Sequence, residues 1–364
     1  MKQLTPYPIA LGIGDFFWNA EITRDSKIDL IKFALDLGIN LIDTAEGYGD
    51  SEALVGAAIS KKHSKVMLAT KVSPENLSYE KVIESCYKSL ENLKVDYIDI
   101  YQIHWPNPSV PFQETLDAFV YLYERKLIKN IGLCNYTLSD LQFANKYLGT
   151  APFTSIQTEY NLHERSIEKN GLLEFCIQNN TKILAYSPLD QGQYHLIDPY
   201  KKSVLIEISD KHKVSIQQLI LAFLMRIHGL IAIIRTTSKE HLIENARSTQ
   251  IKLSSEEVDR LENVFPIKIW HIPTDKIKVS VDGEWNHEVY QTLEEALNNR
   301  LGFTPSPKEL AKTITNGELL KPVRLRPSSD GEQYDLVAGR IRYWAWVIAH
   351  LPDVTNIPAY IRDR

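Results

Sequence analysis

Four residues of this chain have the types and the placing to do chemistry together. Asp43 and Tyr48 lie in "LIDTAEGYGDSE", Lys71 closes "VMLATK" and His104 closes "IDIYQIH". Each ends or follows a short run of apolar, largely β-branched residues, the pattern of a buried strand. Taken singly, each has an ordinary explanation: a turn cap for Asp43, a packing residue for Tyr48, a rim charge for Lys71, a structural imidazole for His104. Taken together they make a proton donor. A phenol with a pKa of about 10 is a weak acid at neutral pH, and a nearby ammonium favours its anion. That ammonium needs a carboxylate to keep it charged and aimed. A neutral imidazole can then hydrogen-bond a substrate oxygen and orient it. The set suits protonation of a carbonyl oxygen as hydride reaches its carbon.

Such a set needs a scaffold that brings several strand ends to one place. Strands are expected at "IALGIG", "NLIDTA", "VMLATKV", "YIDIYQIH", "NIGLCN", "TSIQTEY", "KILAYSP" and "LIAIIRT". Amphipathic helical stretches alternate with them, among them 26–37, 79–93, 112–124 and 215–227. Eight strands, each followed by a helix, predict an α/β fold closing into a (β/α)8 TIM barrel. In such a barrel the strand C-termini share one face, where catalytic groups gather. An open doubly wound sheet is the rival, but no Gly-rich phosphate loop follows the first strand. After Glu262 the rhythm breaks, and Pro266 and Pro273 punctuate the change. We expect residues 1–265 to form the barrel and residues 266–364 a small α+β domain. The latter has helices near 292–301 and 306–313 and strands at "PVRLRP", "YDLVAG" and "IPAYIRD". Its "YWAWVIAH" stretch, 343–350, should pack inside it.

Composition narrows the function further. A length of 364 residues accommodates a barrel plus a module. The net charge of −5 offers no electrostatic case for nucleic acid or an anionic membrane. No apolar run approaches the roughly 18 residues of a membrane span, and the N-terminus lacks a signal pattern. Cys86, Cys134 and Cys176 form neither a metal nor a disulfide framework. A cytoplasmic location and no metal are therefore expected.

The stretches "LIDTAEGYGDSE", "LATKV", "YIDIYQIHWP", "IGLCNY", "IQTEYNL", "AYSPL" and "TTSKEHLIENA" resemble the aldo-keto reductase superfamily, in order, over residues 8 to 262. The resemblance implies NAD(P)H-dependent reduction of an aldehyde or ketone, or the reverse oxidation, by a tetrad of Asp43, Tyr48, Lys71 and His104. It implies that NADPH binds extended, with NADH as the alternative. Asn135 and Gln157 match the residues that hydrogen-bond the nicotinamide carboxamide. Tyr186 matches the aromatic that stacks on the ring, and Ser187 and Leu189 follow in the pyrophosphate turn. Arg235, with Thr236 beside it, matches the position near the adenosine 2′-phosphate. His241 stands where many members carry a phosphate-clamping Arg, and Glu244 and Asn245 match the adenine-contacting pair. Cys134 replaces a usual Ser. Trp18 and Trp105 are expected to line the pocket for a small carbonyl substrate.

Residues 270 to 364 resemble a second family. "IPTDKIKVS", "LLKPVRLRP", "YDLVAGRIRYWAW" and "IPAYIRD" are similar to the ParB N-terminal/sulfiredoxin-like fold. That fold implies a nucleotide site at a Gly–Arg helix start, which makes Arg340 and Arg342 candidates to hold a phosphate. The module has no Cys where sulfiredoxins need one, and it has Arg340, Ile341 and Arg342 where the nucleotide-hydrolysing and serine-kinase relatives put a catalytic acid or a Glu-Arg-Arg run. Over residues 266–364 the 13 basic and 13 acidic residues balance, so DNA is not drawn to it. It reads as an accessory, non-catalytic phosphate-binding or docking domain, through which an oligomer or protein partner would attach. The competing reading is a regulatory protein that senses nicotinamide while the module binds a partner or nucleotide.

Overall fold

The computed structural model describes residues 6–14, 22–59, 63–190, 192, 197–279, 290–314, 321–328 and 331–361. Eight short strands form a closed parallel barrel in sequence order: β1 (Ile9–Gly12), β2 (Leu41–Asp43), β3 (Met67–Val72), β4 (Ile100–Ile103), β5 (Ile131–Cys134), β6 (Phe153–Glu159), β7 (Lys182–Tyr186) and β8 (Leu230–Ile234). Closure is made where β1 pairs with β8, Ile9 opposite Ala232. Both faces of these strands are covered, which is why they read as continuous apolar runs rather than alternating ones. Inside, Ala10, Leu41, Ala69, Ile100, Leu184, Ile231 and Ile233 fill the barrel, so it is a packed core and not a channel.

The outer ring is α1 (Arg24–Asp36), α2 (Ser51–Ile59), α3 (Tyr79–Leu93), α4 (Phe112–Glu124), α5 (Leu138–Tyr147), α6 (Leu172–Gln178), α7 (Pro199–His212), α8 (Ile216–Leu224), α9 (Lys239–Arg247) and α10 (Ser255–Val264). Local chemistry sets several starts. Thr137 with Asp140, Ser215 with Gln218 and Ser254 with Glu257 form reciprocal caps that satisfy the first free N–H groups. The simple strand–helix alternation holds through β7. Two helices, α7 and α8, then separate β7 from β8, because Asp198 and Ser215 each start a helix of their own.

Beyond α10 the chain builds β9 (Trp270–Pro273), β10 (Ile277–Lys278), α11 (Leu293–Leu297), α12 (Pro307–Ala311), β11 (Val323–Pro327), β12 (Tyr334–Ala338), α13 (Arg340–Ala349) and β13 (Asn356–Ile361). The strands make a mixed five-stranded sheet in the order β10-β12-β11-β13-β9. Its core has its own members, Val323, Leu325, Leu336, Tyr343, Trp344 and Ile357 among them. The two indoles of α13 reach polar partners: Trp344 Nε1 donates to the Tyr290 carbonyl and Trp346 Nε1 to Thr355 Oγ1, both at 2.8 Å. The helix of 343–350 thus lies inside the module. The helices expected at 292–301 and 306–313 are shorter, five residues each, capped by Thr292 and Ser306. Among the described residues, no helix is long and apolar enough to cross a membrane.

Candidate active site

Asp43 is the last residue of β2 and Lys71 the fifth of β3, and both side chains are buried. Lys71 Nζ donates to Asp43 Oδ2 and to the Thr44 carbonyl, each at 2.7 Å. Asp43 Oδ1 accepts from Gln157 Nε2 at 2.8 Å and from Gln102 Nε2 at 3.3 Å. Every oxygen of the carboxylate is therefore engaged, as a buried charge requires. Burial by itself would lower the Lys71 ammonium. Asp43, Tyr48 and Cys134 outweigh it and leave Lys71 raised above its ordinary value. The ammonium is locked in its charged form.

That charge sits 5.2 Å from the centroid of the Tyr48 ring. Tyr48 is carried by the turn after β2, where its N–H bonds the Ala45 carbonyl at 3.1 Å. The turn is tethered through Glu46, whose Oε1 accepts from the Ser73 N–H at 2.6 Å and from Asn76 Nδ2 at 3.0 Å. Gly14 lies against the ring, and a Cβ there would come within 3.1 Å of Tyr48 Cε2. The phenol oxygen is 3.2 Å from His104 Nε2, with the two rings edge to face. Burial, with help from the Lys71 charge, lowers the His104 imidazole from 6.5 to about 3. The ring is neutral at physiological pH and offers Nε2 at the same point as the phenol.

Asp43, Tyr48 and His104 open onto one groove of about 750 Å³, within the size of small-molecule sites. Trp105, Asn135, Gln157, Tyr186, Ser187, Leu189, Arg235, Thr236, His241, Glu244 and Asn245 line the same groove. Fourteen of the sixteen barrel residues singled out from the sequence thus share it; Lys71 lies behind it and Trp18 lies outside the described residues. Two wall residues, Asn135 and Ser187, have φ of +62° and +49°. Such backbone is uncommon for residues other than Gly and gathers at functional sites. At the far end, Ser238 caps α9 by accepting from the His241 N–H, so the positive end of a helix dipole faces the groove.

Residues 8–265 match the Aldo/keto reductase family. The chain belongs to that family. It is 33% identical over 260 residues to the methylglyoxal reductase YeaE of Escherichia coli, an alignment spanning 71% of this chain and 91% of the relative. A thermostable aldo-keto reductase, Tm1743, solved with the inhibitor epalrestat, superposes with a TM-score of 0.67 at 34% identity, covering 72% of this chain and 97% of that one. An aldo-keto reductase from Klebsiella pneumoniae in complex with NADPH gives a TM-score of 0.65 at 32% identity, covering 72% and 92%.

Three features of this family member's site are not legible in its motifs. Gln102, a donor to Asp43, also accepts from the Cys134 thiol at 3.7 Å; burial raises that thiol, so it stays protonated. A signal existed, since Gln102 lies two residues before His104 and strand alternation puts both on one face. The second is Lys321, whose Nζ donates to Asn135 Oδ1 at 2.9 Å and to Tyr186 Oη at 3.3 Å from far along the chain. The third is Arg324 of β11, which pairs with Glu159 at the end of β6 and lies 3.7 Å from Asp190. Of the two arginines read as phosphate candidates, Arg342 directs Nη1 at the carbonyls of Lys321 and Pro322, at 2.8 and 3.0 Å. Arg340 has its Nε buried without a partner among the described residues.

Proposed function

We propose that the chain reduces a small aldehyde or ketone with NADPH, through a tetrad of Asp43, Tyr48, Lys71 and His104. The observation that carries this reading is the meeting of Tyr48 and His104 at 3.2 Å, beside an ammonium held by Asp43, at one end of the groove. NADPH fits the donor set along that groove: amides at Asn135 and Gln157, a flat ring at Tyr186, and Arg235 with the α9 N-terminus at the other end. When bound it supplies the hydride. Tyr48 gives its proton to the substrate oxygen. Lys71, kept charged by Asp43, favours the negative charge then left on the phenol oxygen. The neutral His104 holds the substrate oxygen in line with the phenol, and it cannot compete as an acid because it carries no spare proton at neutral pH. Arg235 recommends NADPH over NADH, since a guanidinium suits a phosphate.

A relative named for methylglyoxal supports a small 2-oxoaldehyde as the substrate class. Residues 1–265 are read as the reductase barrel, and residues 266–364 as a ParB N-terminal/sulfiredoxin-like module that docks on it rather than a second catalyst. The use of Arg342 on backbone carbonyls and the Arg324–Glu159 pair favour docking over phosphate binding. Mixing the purified chain with NADPH and a panel of aldehydes, methylglyoxal included, tests the activity through loss of NADPH absorbance. Tight NADPH binding without turnover of any carbonyl would instead support the nicotinamide-sensing reading.

A further inference from the structure

We propose that Lys321 of the C-terminal module is a positioning residue of the reductase site, holding the Asn135 amide and the Tyr186 hydroxyl in the orientation that receives nicotinamide. This rests on the reading of Asn135 and Tyr186 as the nicotinamide wall. The Tyr186 hydroxyl donates to Asn135 Oδ1 at 3.0 Å, and Lys321 Nζ donates to the same oxygen at 2.9 Å. A carbonyl oxygen has two lone pairs, so both are engaged. Turning the Asn135 amide over would set its NH2 against the Lys321 ammonium and take away the acceptor of the Tyr186 hydroxyl. The amide is therefore fixed, with Nδ2 on the other side, where it lies 3.5 Å from the His104 carbonyl. The left-handed backbone at Asn135 supports the same placement from the chain side.

Lys321 stands behind this wall and not in the groove. Asn135 and Tyr186 line the cavity and Lys321 does not, so it supports the wall without filling the space. Burial lowers its ammonium from 10.5 to about 7, with Glu164 opposing and Arg342 adding to the fall. Charged or neutral, the nitrogen keeps at least two hydrogens for its two acceptors. Its segment is held in turn by Arg342, which grips the carbonyls of Lys321 and Pro322. Gly339 makes room for that grip: its φ is +93°, and a Cβ there would meet Arg342 Nη2 at 3.0 Å. Arg324 on Glu159, and Ser109 donating to Glu309 at 2.7 Å, fasten the module to the barrel at two further points. A residue 186 positions from Asn135 thus completes the barrel's own site.

The test compares two ligands by calorimetric titration of the full chain. NADPH carries nicotinamide; 2′-phospho-ADP-ribose has the same adenosine end and lacks it. In Lys321→Met we expect NADPH to bind about tenfold more weakly, the scale of one lost charge-assisted hydrogen bond, with 2′-phospho-ADP-ribose within about twofold of wild type. Equal weakening of both ligands would overturn the proposal, since the whole groove would have been disturbed. Unchanged NADPH binding would overturn it too, and tighter binding would make Lys321 an obstruction. Asn135→Ala is run alongside. A selective loss there with none in Lys321→Met rejects the role of Lys321 alone. No loss in Asn135→Ala rejects the nicotinamide wall itself, and the proposal with it.

Discussion

Replacing Asp43 with Asn removes one charge and keeps the shape, which makes its consequence computable from the contacts. Lys71 has no exposed side-chain surface and Asp43 has 6%, so water cannot replace the lost partner. An Asn has one oxygen to share between two sets of donors. If its oxygen stays toward Gln157 and Gln102, its NH2 points at the Lys71 ammonium. If it turns over, its NH2 meets the two Gln amides. Either orientation leaves a donor facing donors. Breaking a buried pair from one side costs about 3–5 kcal/mol, comparable to about 4 kcal/mol for unit charges 4 Å apart at an effective dielectric near 20. For a chain of this size the melting temperature should fall by about 4–7 °C. Lys71 has a second response: with Asp43 gone, burial dominates and the amine sheds its proton. It then no longer favours negative charge on Tyr48, and reduction should slow by about 10²-fold or more. Thermal melting by circular dichroism and turnover at saturating NADPH measure the two effects. The double variant Asp43→Asn, Lys71→Met should recover much of the melting temperature and none of the turnover, because removing both charges lifts the unpaired cost. A single variant melting within about 2 °C of wild type and turning over within about threefold would refute the reasoning, since both lie below these costs.

Tyr48→Phe should lower carbonyl reduction by about 10²- to 10⁴-fold, with NADPH affinity nearly intact by direct titration, because it deletes the proton donor and no proposed cofactor contact. Arg235→Ala should erase most of a preference for NADPH over NADH of about tenfold, the scale of one charge-assisted contact; equal dissociation constants in the wild type would show that Arg235 faces elsewhere. His104 gives an acid-stability signature. Its folded pKa of about 3 lies below the ordinary 6.5, so between those values the unfolded chain binds a proton that the folded chain does not. Stability is therefore lost as pH falls from 6.5 toward 3, by at most about 1.4 kcal/mol per pH unit from this group. Chemical unfolding at a series of pH values should show a shallower acid slope in His104→Gln, and an unchanged slope would mean the imidazole is not held neutral.

The barrel and the four polar residues proposed as its tetrad were legible because their signals are local. A buried parallel strand is a short apolar run, a helix start is a Ser or Thr with its partner three residues on, and a polar residue at a strand end breaks an apolar pattern. Asp43, Lys71 and His104 each announce themselves in that way, and eight repeats of the unit leave one closed topology. Groove residues such as Asn135, Tyr186 and Arg235 were reached through resemblance, since nothing in their immediate neighbours separates a wall residue from packing. Distances and protonation were not readable at all. That Asp43 is shared by Lys71, Gln102 and Gln157, or that His104 is neutral, depends on burial and on charges brought together from four strands. The module shows the limit most clearly. Its helix start at Gly339–Arg340–Ile341–Arg342 reads locally as an anion site, yet Arg342 spends its guanidinium on the backbone that carries Lys321. Lys321 has no motif around it. It acquires its place only when one sheet packs on the mouth of another, where its buried amine is brought to Asn135 and Tyr186.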